Sequence, residues 1–407
     1  MYSYFGHTTL AVDQVRRFVV IVLDGVGIGE APDAEHYGDV GANSLRNAAR
    51  AVGGLKVPNL AALGLGCITE LPGVASTPTQ PCGYGRMQPR SPGKDTVSGH
   101  WELMGICLQN PFPTYPNGFP VEVVEKFTRR IGRGVLGNKP ASGVSIIKEL
   151  GLDHLRTGQP IIYTSADSVF QIAAHENVIP VAELYRICEI ARAVLCGEHA
   201  VGRVIARPFL GETPGTFRRT GNRRDYPLAP GSPTLMDKLA AAGQMVISVG
   251  KIDDIFGGRG IIRSRHTVDN RSSTEAIAES LDEDFTGLLF ANLIEFDMIF
   301  GHRRDPKGYA AALEEFDRQL PGLQRRMRPN DLGMIVADHG VDPTAPGTDH
   351  TREYVPLLAF GSLLKRKVDL GTRQTFSDVA ATVAEAFDLE PPLSGRSFLS
   401  ELLEMTD

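Results

Sequence analysis

A chain of 407 residues, 42% hydrophobic and 22% charged, is long enough for two domains or for one large core with an insertion, and its composition excludes disorder and fibrous or low-complexity architecture. Its 42 basic and 48 acidic residues leave a net charge of −6, without the basic excess that drives binding to nucleic acid or to an anionic membrane. Five cysteines without a C-x-x-C pair argue against thiolate zinc and thioredoxin-like chemistry and fit a reducing cytoplasm, and no apolar run approaches the roughly 20 residues that span a bilayer.

In chain order, Arg16-Arg17 followed by apolar residues 18–23 superficially resembles a twin-arginine signal, but the apolar run is too short before Asp24, so it reads as a first core strand. The next segment, Gly25-Val26-Gly27-Ile28-Gly29, lacks the G-x-G-x-x-G spacing of dinucleotide sites, and no P-loop pattern occurs. Residues 93–102, Gly-Lys-Asp-Thr-Val-Ser-Gly-His-Trp-Glu, bracket hydroxyls between glycines, so Thr96 or Ser98 is a candidate nucleophile and a surface turn is the alternative. Trp101 reads as packing.

From about residue 108 the chain becomes rich in turn residues, then carries its own strands (161–163 and 203–206) and helices (122–130 and 182–195). This predicts an inserted α/β cap domain over 108–226, with 1–107 and 227–407 combining into one core. The core resumes with a helix over 232–243, Ser232 as N-cap, Pro233 at the first position and Gly243 at the stop. Continuous apolar strands follow at 245–249, 288–294, 332–337 and 357–360, and a helical stripe runs over 377–387. Strands apolar throughout are covered on both faces, so the fold class is α/β, a layered core with a largely parallel central sheet.

Three of these strands end in aspartate: Asp24, Asp297 and Asp338. Ligands collect at the carboxyl ends of strands in open α/β sheets, and His302, His339 and His350 follow close by in sequence. Each residue alone has a plainer reading, Asp24 as a turn aspartate and His302 as a loop histidine. Together the six mix hard oxygen with imidazole nitrogen, a set suited to Mn²⁺ or Zn²⁺ and sufficient for two ions.

The motifs Val22-Leu23-Asp24-Gly25-Val26-Gly27-Ile28-Gly29, residues 93–102, Gly137-Asn138-Lys139-Pro140-Ala141-Ser142-Gly143, residues 163–168, residues 250–256, Phe296-Asp297 with 301–305, and Ala337-Asp338-His339-Gly340 with 349–353 closely resemble the phosphopentomutase family of the alkaline phosphatase superfamily. The resemblance runs from near residue 16 almost to the end of the chain. It implies an alkaline-phosphatase-like core and an isomerase that interconverts ribose 1-phosphate or 2-deoxyribose 1-phosphate with ribose 5-phosphate in nucleoside catabolism. It also implies two Mn²⁺ ions, a phosphothreonine at Thr96, a bisphosphate intermediate, and priming by glucose 1,6-bisphosphate or ribose 1,5-bisphosphate. Family analogy assigns Asp24, Asp338 and His339 to one ion and Asp297, His302 and His350 to the other. Family members bind the pentose phosphate between core and cap, which implies Asp167, Arg207, Arg223 and Lys251 as substrate-binding residues, with Arg224 competing for the position of Arg223. A cap closing over the site would exclude water, the difference between a mutase and a phosphatase.

Two positions depart from the family, Glu295 where aspartate is commoner and Val144 where threonine is expected, and the first dozen or so residues have no counterpart. The competing readings are a metal-dependent phosphatase or a cofactor-independent phosphoglycerate mutase-like enzyme on the same core, and, from another class, a non-catalytic metal-binding protein. The expected partners are small pentose phosphates, in the cytoplasm, with no nucleic acid, no membrane and no evident protein partner.

Overall fold

The structure, a computed structural model, describes residues 15–165 and 168–403. The chain divides into two compact units, one formed by the segments up to Asn110 and from Pro230 onward, the other by Pro111–Ala229. The strands of the first half are β1 (Arg17–Leu23), β2 (Cys82–Met87), β3 (Leu136–Pro140), β4 (Ile161–Thr164), β5 (Val169–His175), β6 (Arg203–Leu210), β7 (Arg218–Arg219) and β8 (Arg224–Pro227). Those that follow are β9 (Met245–Val249), β10 (Arg263–Arg265), β11 (Gly287–Leu293), β12 (Asp331–Val336), β13 (Val355–Phe360) and β14 (Lys367–Arg373).

In the larger unit eight strands form one sheet in the order β10-β9-β11-β1-β12-β13-β2-β14. The run from β10 to β12 is parallel, β13 is antiparallel to both of its neighbours, and β14 pairs parallel with β2. Every residue of β1, β11 and β12 is buried, the consequence of helices on both faces. One helix group packs Asn270–Asp282 on Pro306–Arg326, and another packs Thr96–Leu103 on Ile252–Phe256 and Ser377–Ala386. Because β11, β1 and β12 are parallel and adjacent, their carboxyl ends lie side by side on one edge of the sheet.

The helix expected to begin at Ser232 begins instead at Leu235, with Thr234 as its N-cap. Thr234 Oγ1 accepts from Asp237 N at 3.2 Å while the Asp237 carboxylate accepts from Thr234 N at 2.7 Å, a reciprocal capping box that Ser232 cannot form because the residue three positions on, Leu235, is neither an acid nor an amide.

The smaller unit is a mixed sheet in the order β3-β4-β5-β6-β7, with β8 also paired to β6. Its strands bury both faces: Ile162, Phe170, Ile172 and Val204 enter one apolar cluster, and Ile161, Tyr163, Ala173 and Phe209 another. The period-2 alternation of side chains along each strand divides the two clusters.

Arg17 pins the amino end of the central strands. It is fully buried, its Nε lies 2.9 Å from Asp331 Oδ1, its Nη2 2.5 Å from Oδ2, and its Nη1 donates to the carbonyls of Leu281 and Glu283. Replacing it leaves Asp331 buried and unpaired, so Arg17→Met is expected to cost about 3–5 kcal/mol. Urea unfolding of the wild type and the variant measures it.

Candidate active site

Each candidate side chain is positioned by a strand end or by the turn that follows it. Asp24 directly follows β1, and the chain turns at Gly25 with φ +78°; a Cβ there would meet Val341 Cγ1 at 2.5 Å and Asp297 Cβ at 3.2 Å. Glycine is what lets the first and second strand ends approach. Asp297 lies in a π-helical turn, Phe296–Gly301, just after β11, and His302 closes that turn. Asp338 and His339 follow β12, and Gly340 bridges back to Thr351, which brings His350 beside them.

Asp24, Asp338 and His339 form one compact ligand group and Asp297, His339 and His350 another. His339 Nε2 is 3.3 Å from Asp24 Oδ1 and 3.2 Å from Asp338 Oδ2, and His350 Nε2 is 3.2 Å from Asp297 Oδ1. His302 Nε2 stands 3.4 Å from the same Asp297 oxygen but outside the tighter group, so geometry alone joins His339 to both sets. The imidazoles of His339 and His350 lie 4.0 Å apart by ring centroid, and those of His302 and His350 4.8 Å. His339 Nδ1 is held by the Gly340 carbonyl at 3.0 Å and His302 Nδ1 by the Thr348 carbonyl at 2.6 Å, which turns both Nε2 atoms toward the carboxylates. Metal-bound histidine is ordinarily held in this way, with its other ring nitrogen donating to a carbonyl or carboxylate.

A divalent cation fits this donor set. Asp24 Oδ1, Asp297 Oδ1, Asp338 Oδ2 and His350 Nε2 are buried atoms with no hydrogen-bond partner among the described residues. Buried polar groups are ordinarily satisfied, and a cation in contact with these four would satisfy them.

The side chains alone divide the protons unevenly. Burial and the charge of Asp338 push the Asp24 carboxyl up. Burial pushes Asp297 up as well, but His350 and His302 pull it further down, well below the usual carboxylate range. His302 is raised to about 9 by its contact with Asp297, and Asp338 with Asp24 holds the buried His339 well above an ordinary imidazole.

Thr96 is the first residue of the helix Thr96–Leu103, capped by Asp95, and its Oγ1 is 2.9 Å from His339 Nε2. Ser98, the other hydroxyl considered, donates to the Asp95 carbonyl and carboxylate at 2.9 and 2.8 Å and is committed to the cap. Trp101 is buried, and its indole N–H donates to the Ile255 carbonyl at 3.2 Å.

Of the substrate-binding candidates, Asp167 lies outside the described residues. Arg207, on β6, donates to Gln171 Oε1 at 3.0 Å, and burial together with the charge of Arg223 lowers its pKa. Arg223 forms a two-point pair with Asp225 at 2.7 Å. Arg224 lies over the rings of Tyr185 and Tyr226, so Arg223 is the one that stands with Arg207. The buried hydroxyl of Tyr163, within the field of Arg207, Arg219 and Arg223, has no hydrogen-bond partner among the described residues. In the larger unit Lys251 Nζ meets the thioether of Met298 at 3.3 Å, a weak acceptor that leaves its charge available.

Three side chains that sequence reasoning did not single out support this centre. Arg352, buried, donates to the carbonyls of Pro89, Ser91 and Gly93 and to Asp33, tying the loop before Thr96 to the segment after His350. His100 and Asn292, both fully buried, lie behind Thr96, Asp338 and Asp24. The i,i+4 spacing from Thr96 was the one signal for His100; Asn292 sat unmarked inside an apolar strand.

The family described as Metalloenzyme superfamily matches residues 16–391. The chain is 66% identical to the phosphopentomutase of Herpetosiphon aurantiacus over 95% of its own length and 99% of that protein's. It is 56% identical to the phosphopentomutase of Carboxydothermus hydrogenoformans over 95% and 100% respectively. Among solved structures, Leishmania mexicana phosphoglycerate mutase superposes with a TM-score of 0.50 at 13% identity, covering 98% of this chain and 99% of that one, a likeness of fold.

The imidazole shifts carry a pH dependence. His302, raised to about 9, stabilises the metal-free fold fully below the ordinary imidazole value near 6.5, and that contribution is lost as the pH rises through about 9. Cation binding needs neutral imidazole, so loading Mn²⁺ near pH 7.5 is expected to release roughly two protons per chain and to tighten with rising pH. Calorimetry in buffers of different ionisation enthalpy measures both; proton uptake, or affinity flat from pH 6 to 9, contradicts the assignment of these histidines as ligands.

Proposed function

We propose, from the premise that the chain belongs to the phosphopentomutase family of the metalloenzyme superfamily, that it interconverts the 1- and 5-phosphates of ribose or 2-deoxyribose through a phosphorylated Thr96. The observation that carries the reading is the Thr96 hydroxyl, 2.9 Å from His339 Nε2, at a helix N-terminus beside carboxylate oxygens without donors. Asp24, Asp338 and His339 would hold one Mn²⁺ and Asp297, His302 and His350 the other; the division follows the family. Bound cations would neutralise charge on the transferring phosphoryl group and lower the pKa of the Thr96 hydroxyl.

The chain's own residues define two transfers. In the first, the phosphoryl group of phospho-Thr96 passes to the 5-hydroxyl of ribose 1-phosphate: the Oγ1–P bond breaks, the O5–P bond forms, and the 5-hydroxyl proton ends on the freed Oγ1. In the second, Oγ1 takes the phosphoryl group from O1 of the bisphosphate: the O1–P bond breaks, the Oγ1–P bond forms again, and the Thr96 hydroxyl proton ends on O1 as ribose 5-phosphate forms. Thr96 opens the helix Thr96–Leu103, and a helix N-terminus favours negative charge, which would suit a phosphoryl group on its hydroxyl. Arg352 holds the loop that delivers Thr96, so positioning supplies much of the rate and little side-chain acid or base is needed.

Arg207 and Arg223 in the smaller unit, and Lys251 in the larger, are each proposed as phosphate-binding residues, and Asp167 as a contact to the sugar. Fork-shaped guanidinium suits bidentate phosphate recognition, and the partnerless Tyr163 hydroxyl beside the arginines supports an anion there. A priming sugar bisphosphate, glucose 1,6-bisphosphate or ribose 1,5-bisphosphate, would load Thr96 first. Five free thiols support a cytoplasmic location.

The decisive experiment supplies Mn²⁺, a priming bisphosphate and ribose 1-phosphate, and maps phosphate on the protein by mass spectrometry. Phosphate is expected on Thr96, ribose 5-phosphate as product, and neither with Thr96→Ala; phosphate on another residue, or free phosphate as the main product, overturns the mechanism. A second outcome concerns Gly99, where a Cβ would meet the Asp338 carbonyl oxygen at 2.1 Å. Gly99→Ala must push the Thr96 helix away from the ligand strand, and roughly a 100-fold loss of kcat is expected from the misplaced hydroxyl.

A further inference from the structure

We infer that His100 and Asn292 are a positioning pair that holds Thr96 and the two carboxylates of one cation site in a single arrangement, leaving one oxygen of each carboxylate free for the ion. Both side chains are fully buried, and neither can touch the sugar phosphate from behind the ligands. His100 Nδ1 lies 2.9 Å from the Thr96 carbonyl oxygen and 3.1 Å from Asp338 Oδ2. Its Nε2 lies 3.1 Å from Asn292 Nδ2, which is also 2.7 Å from Asp24 Oδ2.

The donor inventory leaves one assignment. A carbonyl and an ionised carboxylate only accept, so His100 Nδ1 carries the proton; an amide nitrogen only donates, so Nε2 accepts from Asn292. Turning the Asn292 amide over would set its oxygen against Asp24 Oδ2 at 2.7 Å. The order is therefore fixed: Asn292 donates to Asp24 and to His100, and the single His100 N–H donates to the Thr96 carbonyl, with Asp338 Oδ2 facing the same nitrogen without a hydrogen bond.

The consequence falls on the ligand atoms. Asn292 ties Asp24 through Oδ2, and the backbone N–H of Gly25 ties Asp338 through Oδ1 at 3.1 Å. What remains is Asp24 Oδ1 and Asp338 Oδ2, both without a hydrogen bond and both facing His339 Nε2. His100 Nδ1 lies against both that Asp338 oxygen and the Thr96 backbone, so the nucleophile's helix and the ligand strand share one support. Among the described residues nothing comparable lies behind Asp297: the inference concerns the Asp24 and Asp338 site only, and it rests on the assignment of that site proposed above.

The test is a two-site Mn²⁺ titration by calorimetry and electron paramagnetic resonance on the full chain, with folding checked by circular dichroism. His100→Leu keeps the volume and removes both contacts; one of the two sites is expected to weaken about 10- to 100-fold while the other stays unchanged. His100→Asn places an amide nitrogen where Nδ1 was and is expected to recover most of that loss. If His100→Leu does not fold, Asn292→Ala carries the same expectation for the same site. Unchanged binding in His100→Leu or Asn292→Ala, equal weakening of both sites, or His100→Asn as damaged as His100→Leu overturns the inference. Asp24→Asn separates the two levels: if it too leaves both sites intact, the cation assignment fails, and if it abolishes one site while His100→Leu does not, only the positioning pair fails.

Discussion

Three carboxylates brought together without enough donors are the constraint on which the rest of this structure depends. Parallel pairing of β11, β1 and β12 places Asp297, Asp24 and Asp338 at one sheet edge, nearly dry, with one oxygen of each lacking a hydrogen bond. Like charges in such a place repel, and each desolvated oxygen costs free energy until a cation meets it. His302, His339 and His350 relieve part of the repulsion. They leave the acceptors open, an arrangement that a divalent cation would satisfy.

The other buried charges show what a purely structural solution looks like. Glu353 accepts from Gly29 N, Ser44 N, Ser44 Oγ and Thr351 Oγ1; Glu102 accepts from Arg90 N, Ser91 N, Thr375 Oγ1 and Phe376 N. Asp331 is matched by the two-point contact of Arg17. In each, the acceptors are saturated, and the charge fixes one loop or strand against another. These saturated groups surround the unsaturated ones: Glu102 and Arg352 brace the loop before Thr96, and Glu353 braces the turn after Asp24. Strain-free anchors around an undersupplied centre let the fold retain groups that would otherwise rearrange.

Much of this was legible because it rests on local chemistry. Continuous apolar runs ended within two residues of the observed strands, and an aspartate closing such a run needs partners wherever it lands. The helix start was misread at Ser232 because a serine followed by proline is a good local signal, and only the Thr234 and Asp237 pair decides between neighbouring caps. Ser98 and Thr96 were equal candidates in sequence; the Asp95 cap engages one hydroxyl and leaves the other against His339. Asn292 was invisible, since a polar residue in a buried strand acquires meaning only from what lies opposite.

By itself the sequence determined the kinds of group at the centre, aspartate and histidine after apolar strands and a hydroxyl between glycines, because ligand chemistry and strand burial are properties of residue type and order. It determined equally that the chain is a layered α/β protein with a turn-rich middle segment carrying strands and helices of its own. Only the tertiary structure decided which carboxylate oxygens are left without donors, that His339 reaches both carboxylate groups and Thr96, and that His100 and Asn292 stand behind them. Those facts depend on the register of strands hundreds of residues apart and on side-chain direction, and no local pattern encodes either.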